Sequence, residues 1–441
     1  MLDRMFGLSQ QGTTPKREII AGISTFLAAM YIIVVNPTIL GNAGIPFTQG
    51  LTATVLISAF ASLAMGAYGR SPILVAPGMG VNALFTYTMV VGAKIPLTIA
   101  LGCVFWSGVV FFLLAIFNVR QYVIDAIPAS LRHAVACGIG LFITVIGLVN
   151  ARFLVGNPDT VVGMGSLTAP VVTFLIGLAI TAALVARRMQ GALIVGIILT
   201  TIIAIPIGRW WGDGAAFAPG SHTLVNFSGI FAMPDFSGLF HIDILGALHF
   251  AYWPFIFIIL FTSFFDALST FVGVSQAGGL LDENGEPRNI QRSMIVDASS
   301  ALLSGFVGTS PTGAFVESAT GISQGGRTGL VAITCGVLFI PFLFLSPLLS
   351  LIPAIATAPA LIMVGVFMLS PIKSIDWGEM DDAIPAFLAM VLIPITYSIT
   401  QGVVFGFLGF VVCKVAVGKA REIRLTMWIL AVLSLLLLLL D

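Results

Sequence analysis

The sequence predicts an all-α polytopic membrane protein of about 14 transmembrane segments, arranged as a seven-plus-seven inverted repeat with its third and tenth spans discontinuous. Three observations predict this. The 441 residues are 58% hydrophobic and only 9% charged, with a mean hydropathy of +1.08, and they fall into apolar runs separated by short polar breaks. The positive charges gather on one side of the implied layout. The two halves also share local sequence at matched places.

The apolar runs lie near 18–40, 48–68, 71–91, 95–117, 129–150, 169–186, 191–208, 250–275, 291–307, 309–325, 328–346, 353–370, 383–399 and 401–418, and are called spans one to fourteen. Most have the roughly 20 apolar residues that a bilayer core requires. A last run, 425–440, is barely long enough to cross, and lying along the interface is the other reading. The polar start MLDRMFGLSQQGTTPKRE is too long for a cleavable signal peptide, so the first span is expected to stay as an anchor.

Lys and Arg accumulate in short cytoplasmic loops. With the N-terminus placed in the cytoplasm, sixteen of the nineteen basic residues, Arg120 and Arg132 among them, fall on that side, and Lys94, Arg152 and Arg209 face out. An odd number of crossings before the C-terminal charges would scramble this bias. The longest loop, 209–249, falls outside the cell, and a cell inner (plasma) membrane location is expected.

Seven spans precede that loop and seven follow it. IPASLRHAVACGIGLFI (127–143) and IPAIATAPALIMVGVFM (352–368) align without gaps at Ile, Pro, Ala, Gly and Phe, and SGVVF (107–111) matches CGVLF (335–339) at Gly, Val and Phe. Helix k thus matches helix k+7. Seven being odd, the halves have opposite orientation, the plan of many secondary transporters. Span three, SPILVAPGMGVNALFTYTMVV, and span ten, GTSPTGAFVESATGISQGG, each carry Pro and Gly where a continuous helix wants neither. Interruptions at matched positions of two repeats point to a midplane site.

Ionisable residues at membrane depth cost about 2.5–3.5 kcal/mol each on the insertion scale, so each asks for a reason. Asp266 lies deep in span eight with no Arg or Lys within a helical turn. It reads as a site residue or as a carboxylate paired inside the bundle. Glu317 in broken span ten reads as a site residue or as a snorkelling one. Asp297 lies about a turn from Arg292 and is either a structural link to it or a proton-handling group. Asn36 precedes Pro37 and reads as helix-ending chemistry, His249 as interfacial, and DENGE (282–286) as a cytoplasmic turn. Two carboxylates beside Phe264, Phe265 and Phe315 suit a small, flat solute with polar edges; a phenylalanine beside Asp266 also reads as bundle packing, and spacing alone does not identify a nucleobase. A ring packs on aromatic faces, and a carboxylate accepts the parallel N–H groups that guanine presents side by side.

The zero net charge leaves no footprint for nucleic acid. Four histidines and four scattered cysteines supply neither metal-ligand spacing nor a nucleophile–base pair, so no metal, cofactor or enzymatic chemistry is expected. Cys103, Cys137, Cys335 and Cys413 are expected to be free thiols. An anion carrier would present a cation, not acids, to the broken spans.

GISTFLAAMYIIVVNP (22–37), APGMGVNALF (76–85), FFDALSTFVGVSQAGGLLDENG (264–285) and GTSPTGAFVESATGISQGGRTGL (308–330) together resemble the AzgA-like branch of the nucleobase:cation symporters. The resemblance runs nearly end to end. It implies a core domain of 18–117 and 250–346 and a gate domain of 121–208 and 353–418, the gate being a frequent dimer contact. It implies a purine nucleobase (adenine, guanine or hypoxanthine) as substrate, with H+ favoured over Na+ as the driving ion. It places the binding acids at Asp266 and Glu317, the span-three asparagine at Asn82, and further lining groups at Val316, Ser318, Phe265 and Phe315. Proton coupling is assigned to Asp266, with Asp297 next. Pro311, Gly313 and Ser269 depart from the family's expected pattern, so the resemblance does not rank the purines.

Overall fold

A computed structural model describes residues 2–117, 127–157, 160–211, 229–282 and 286–440. Arg120, the opening of the gate's first half at 121–126, the middle of the long loop at 212–228 and the tip of the DENGE turn at 283–285 lie outside the described residues. Each of the fourteen expected segments has a counterpart. Among the described residues eight helices are long and apolar enough to cross a membrane, and Met79–Gly92, Ala192–Ile207 and Leu330–Phe344 are shorter apolar helices.

Helix starts follow capping chemistry. Span one begins at Pro15, where the missing N–H costs nothing, and the Thr14 hydroxyl accepts from the Arg17 N–H at 3.4 Å. Spans five and twelve begin alike, at Ala129 and Ala354, each directly after a proline. Span one is interrupted between Ala29 and Ile32, and its second half runs through Pro37 to Gly41. Asn36 therefore does not end the helix. Its amide donates to Thr54 at 2.7 Å and to Thr309 at 3.1 Å, joining spans one, two and ten, because a buried amide must find partners. The DENGE turn closes through Asp282 and Glu286. A hairpin of β2 (Leu154–Asn157) and β3 (Val161–Met164), absent from the sequence expectation, links spans five and six. The run 425–440 is a helix from Leu425 to Leu440 that packs on span fourteen. Its 16 residues reach about 24 Å, short of a roughly 30 Å core.

The packing repeats under the exchange k to k+7. Span one lies on eleven as eight lies on four; two lies on eleven as nine lies on four. In the other cluster five lies on thirteen as twelve lies on six, and six on seven as thirteen on fourteen. Spans two and nine, and five and twelve, contact their own equivalents. The glycines shared by the two repeats make these contacts possible. A Cβ on Gly108 would meet Leu302 Cβ at 2.8 Å, and one on its equivalent Gly336 would meet the Ala59 carbonyl at 2.9 Å. Real Cβ atoms do not come so close, so only glycine permits the backbones to approach.

Candidate functional site

The two broken spans meet. β1 (Val75–Pro77) of span three pairs antiparallel with β4 (Thr312–Ala314) of span ten, placing Val75 opposite Ala314, Ala76 opposite Gly313 and Pro77 opposite Thr312. Pro and Gly prevent helix here, and the freed backbone groups bond across the break instead of to lipid. The Gly78 N–H donates to the Pro311 carbonyl at 3.0 Å, and the Phe315 N–H to the Leu74 carbonyl at 2.9 Å. Side chains pin the ribbon. Ser62 of span two donates to the Val75 carbonyl, the Thr312 hydroxyl donates to Ser300 of span nine at 2.7 Å, and the Leu74 N–H donates to Ser318 Oγ at 3.0 Å.

Asp266 lies on this ribbon. Its Oδ2 stands 3.6 Å from where a Cβ on Gly313 would be and 3.9 Å from one on Gly78, so the two glycines leave the carboxylate room against the backbone. A cleft of about 570 Å³ opens beside it, lined by Phe265, Asp266 and Ser269 of span eight, Gly80 of span three, Arg132 and Ile139 of span five and Met368 of span twelve. The Arg132 guanidinium carbon stands 5.3 Å from the centre of the Phe265 ring.

Glu317 lies just past β4, separated from it by Phe315 and Val316. Its Oε1 accepts from the Tyr31 hydroxyl at 2.7 Å, a bond from the interruption of span one to that of span ten. Asp266 and Glu317 are close enough to interact electrostatically, as are Asp266 and Asp297. Asp297 is fully buried, and neither of its oxygens has a hydrogen-bond partner among the described residues. The structural link to Arg292 is therefore not formed. Asn82 is likewise buried, with both amide atoms unpartnered among the described residues.

The remaining candidates divide. Phe315 is buried beside Glu317. Ser318 is buried with its hydroxyl engaged by Leu74 and its own N–H given to the Phe315 carbonyl, so it acts within the ribbon. Val316 is 51% exposed and does not line the cleft. The sequence reading missed Tyr31 and Arg132 as members of the site. Their only advance signal was a phenol within span one and a cation at the entry to span five. The four cysteines are free thiols.

Residues 16–405 match the Permease family (Xan_ur_permease). The chain is 38% identical over 437 residues to the adenine permease AdeP of Escherichia coli, covering 99% of this chain and 95% of that one. It is 38% identical over 435 residues to the guanine/hypoxanthine permease PbuO of Bacillus subtilis, covering 97% and 98%. Among solved structures, the transmembrane domain of a cyanobacterium bicarbonate transporter, BicA, superimposes with a TM-score of 0.65 at 18% identity, over 89% of this chain and 97% of that one. At that identity the likeness speaks to the fold, here the inverted-repeat arrangement of core and gate. A helical, multi-pass chain with two broken spans joined over buried acids, and near-full-length likeness to named permeases, is a transporter and not an enzyme, and it belongs to the Permease family.

Proposed function

We propose that this permease imports purine nucleobases (adenine, guanine or hypoxanthine) by proton symport. The observation that carries the reading is Asp266 set against the ribbon of the broken spans and beside Phe265 in the cleft, with Glu317 shortly after β4 and the amide of Asn82, unpartnered among the described residues, in the short helix after β1. Carboxylates with acceptor capacity to spare and an amide without a hydrogen-bond partner among the described residues are what a base rich in N–H groups would satisfy. Relatives named as adenine and guanine/hypoxanthine permeases support the substrate class.

In this reading Asp266 and Glu317 receive the N–H edge of the base, Phe265 and Phe315 flank its ring, Asn82 takes a further polar edge, and Val316 and Ser318 hold the backbone in place. The core comprises 18–117 and 250–346 and the gate 121–208 and 353–418; the core moves against the gate in an elevator-like step, and two gates meet in a homodimer. The N-terminus is cytoplasmic and the membrane is the inner one. Asp266 carries the coupled proton, because a carboxylate at membrane depth is least costly when neutral, and Asp297 stands next in line. H+ is preferred to Na+ as the coupling ion.

Cells expressing the protein should accumulate labelled adenine, guanine or hypoxanthine, with unlabelled purine competing better than uracil. Uptake of uracil alone, or of none of these bases, would overturn the proposal.

A further inference from the structure

We infer that Tyr31 decides which purine edge Glu317 accepts. The inference rests on the reading above, in which Glu317 receives the base. Tyr31 is buried at the interruption of span one, between Pro15–Ala29 and Ile32–Gly41. Its hydroxyl is the hydrogen-bond partner of the Glu317 side chain among the described residues, at 2.7 Å to Oε1. Glu317 makes no cap to the short helix Ser318–Ser323 that follows it, so no bond to that helix holds the side chain. The phenol does so from across the break.

A phenol donates one hydrogen and takes up one acceptor direction of the carboxylate. Oε1 is then partly committed, and Oε2 is the oxygen left open to a ligand. Hypoxanthine offers a single ring N–H at that edge and matches one open oxygen. Guanine offers a ring N–H and an amino group side by side, and its second donor meets an oxygen already engaged by Tyr31. Tyr31 is therefore a positioning residue. It holds the carboxylate in one orientation and biases the site toward an edge with one donor.

The test is binding of guanine and of hypoxanthine to the purified full-length protein, as wild type, Tyr31→Phe, Glu317→Gln and the double variant. Removing the hydroxyl keeps the ring that fills the core. Tyr31→Phe should weaken hypoxanthine about 3–10-fold, the worth of one lost ordering hydrogen bond, and guanine less, because its amino group gains the released acceptor. The guanine-to-hypoxanthine ratio should move toward guanine, and in the Glu317→Gln background Tyr31→Phe should move it no further. An equal loss for both bases, no change, or a shift that persists without the carboxylate overturns the inference. Should Tyr31→Phe fail to fold, Glu317→Asp withdraws the carboxylate from the phenol by one methylene. The same shift is then expected, and a uniform loss is equally fatal. A wild type that binds neither base removes the site reading and this inference together; an unmoved ratio in a purine-binding protein removes the inference alone.

Discussion

Gly140 of span five and Gly365 of span twelve lie back to back: a Cβ on Gly365 would stand 2.5 Å from the Gly140 carbonyl oxygen, and one on Gly140 would stand 2.9 Å from that of Gly365. The two positions are equivalent in the repeats, so spans five and twelve pack closely on their own equivalents at the one residue type that permits it. Gly365→Ala should therefore force the helices apart and destabilise the protein by about 1–3 kcal/mol, the usual cost of overpacking. Thermal unfolding in detergent measures it. A melting temperature equal to wild type would show that the crossing is looser than these distances require.

Glu317→Gln and Ser318→Ala are adjacent but should fail differently. The amide keeps one acceptor where the carboxylate has two and loses the charge, so purine binding should weaken by about 1.5–3 kcal/mol. Ser318→Ala instead orphans the buried Leu74 N–H, at about 1–3 kcal/mol of stability, with little direct effect on binding. Isothermal binding and melting curves on both variants separate the effects. Equal binding losses would place Ser318 in contact with the base.

Asp266→Asn mimics the protonated carboxyl permanently. In proteoliposomes it should abolish purine accumulation driven by an imposed ΔpH while leaving some downhill exchange, since the alternating motion does not itself require the charge. Uphill accumulation that survives would transfer the coupling role to Asp297, which is buried and has no hydrogen-bond partner for its oxygens among the described residues.

Just before span thirteen, Asp381 accepts from Lys414 at 2.8 Å and from Lys419 at 3.0 Å. These two ammonium groups hold its carboxyl well below the ordinary value of 3.8. The unfolded chain then takes up a proton that the folded chain refuses. This contribution to stability is complete above the ordinary carboxylate range and is lost as pH falls below it. The melting temperature should begin to fall as pH drops through the ordinary carboxylate range, about 4, and keep falling toward the depressed value of the folded carboxyl. Asp381→Asn should start lower at neutral pH and fall less steeply. A variant with the same acid slope as wild type would show that another group governs it.

Much of this protein was legible in the sequence because bilayers impose coarse rules. The need for about 20 apolar residues per crossing marks out helices such as Leu97–Ile116 and Ala129–Asn150, and the cost of burying charge singles out Asp266, Glu317 and Asp297. Matched Pro and Gly in 71–91 and 309–325 announced broken helices, since those residues act through local backbone sterics alone. What those breaks become was beyond local rules. That Val75 pairs with Ala314 depends on two segments more than 200 residues apart meeting in register. The same holds for Tyr31 and Glu317, 286 residues apart, and for Arg132 over Phe265. Asn36 shows the reverse error: its sequence neighbour Pro37 suggests a helix end, yet the helix continues and the amide is used by spans two and ten. The sequence by itself determined the membrane class, the repeat and the identity of the acids, because hydrophobicity and backbone sterics are set residue by residue. Only the tertiary structure decided which buried polar groups are satisfied by one another and which, like Asn82 and Asp297, have no hydrogen-bond partner among the described residues, because a hydrogen bond depends on where the folded chain brings its donor and acceptor.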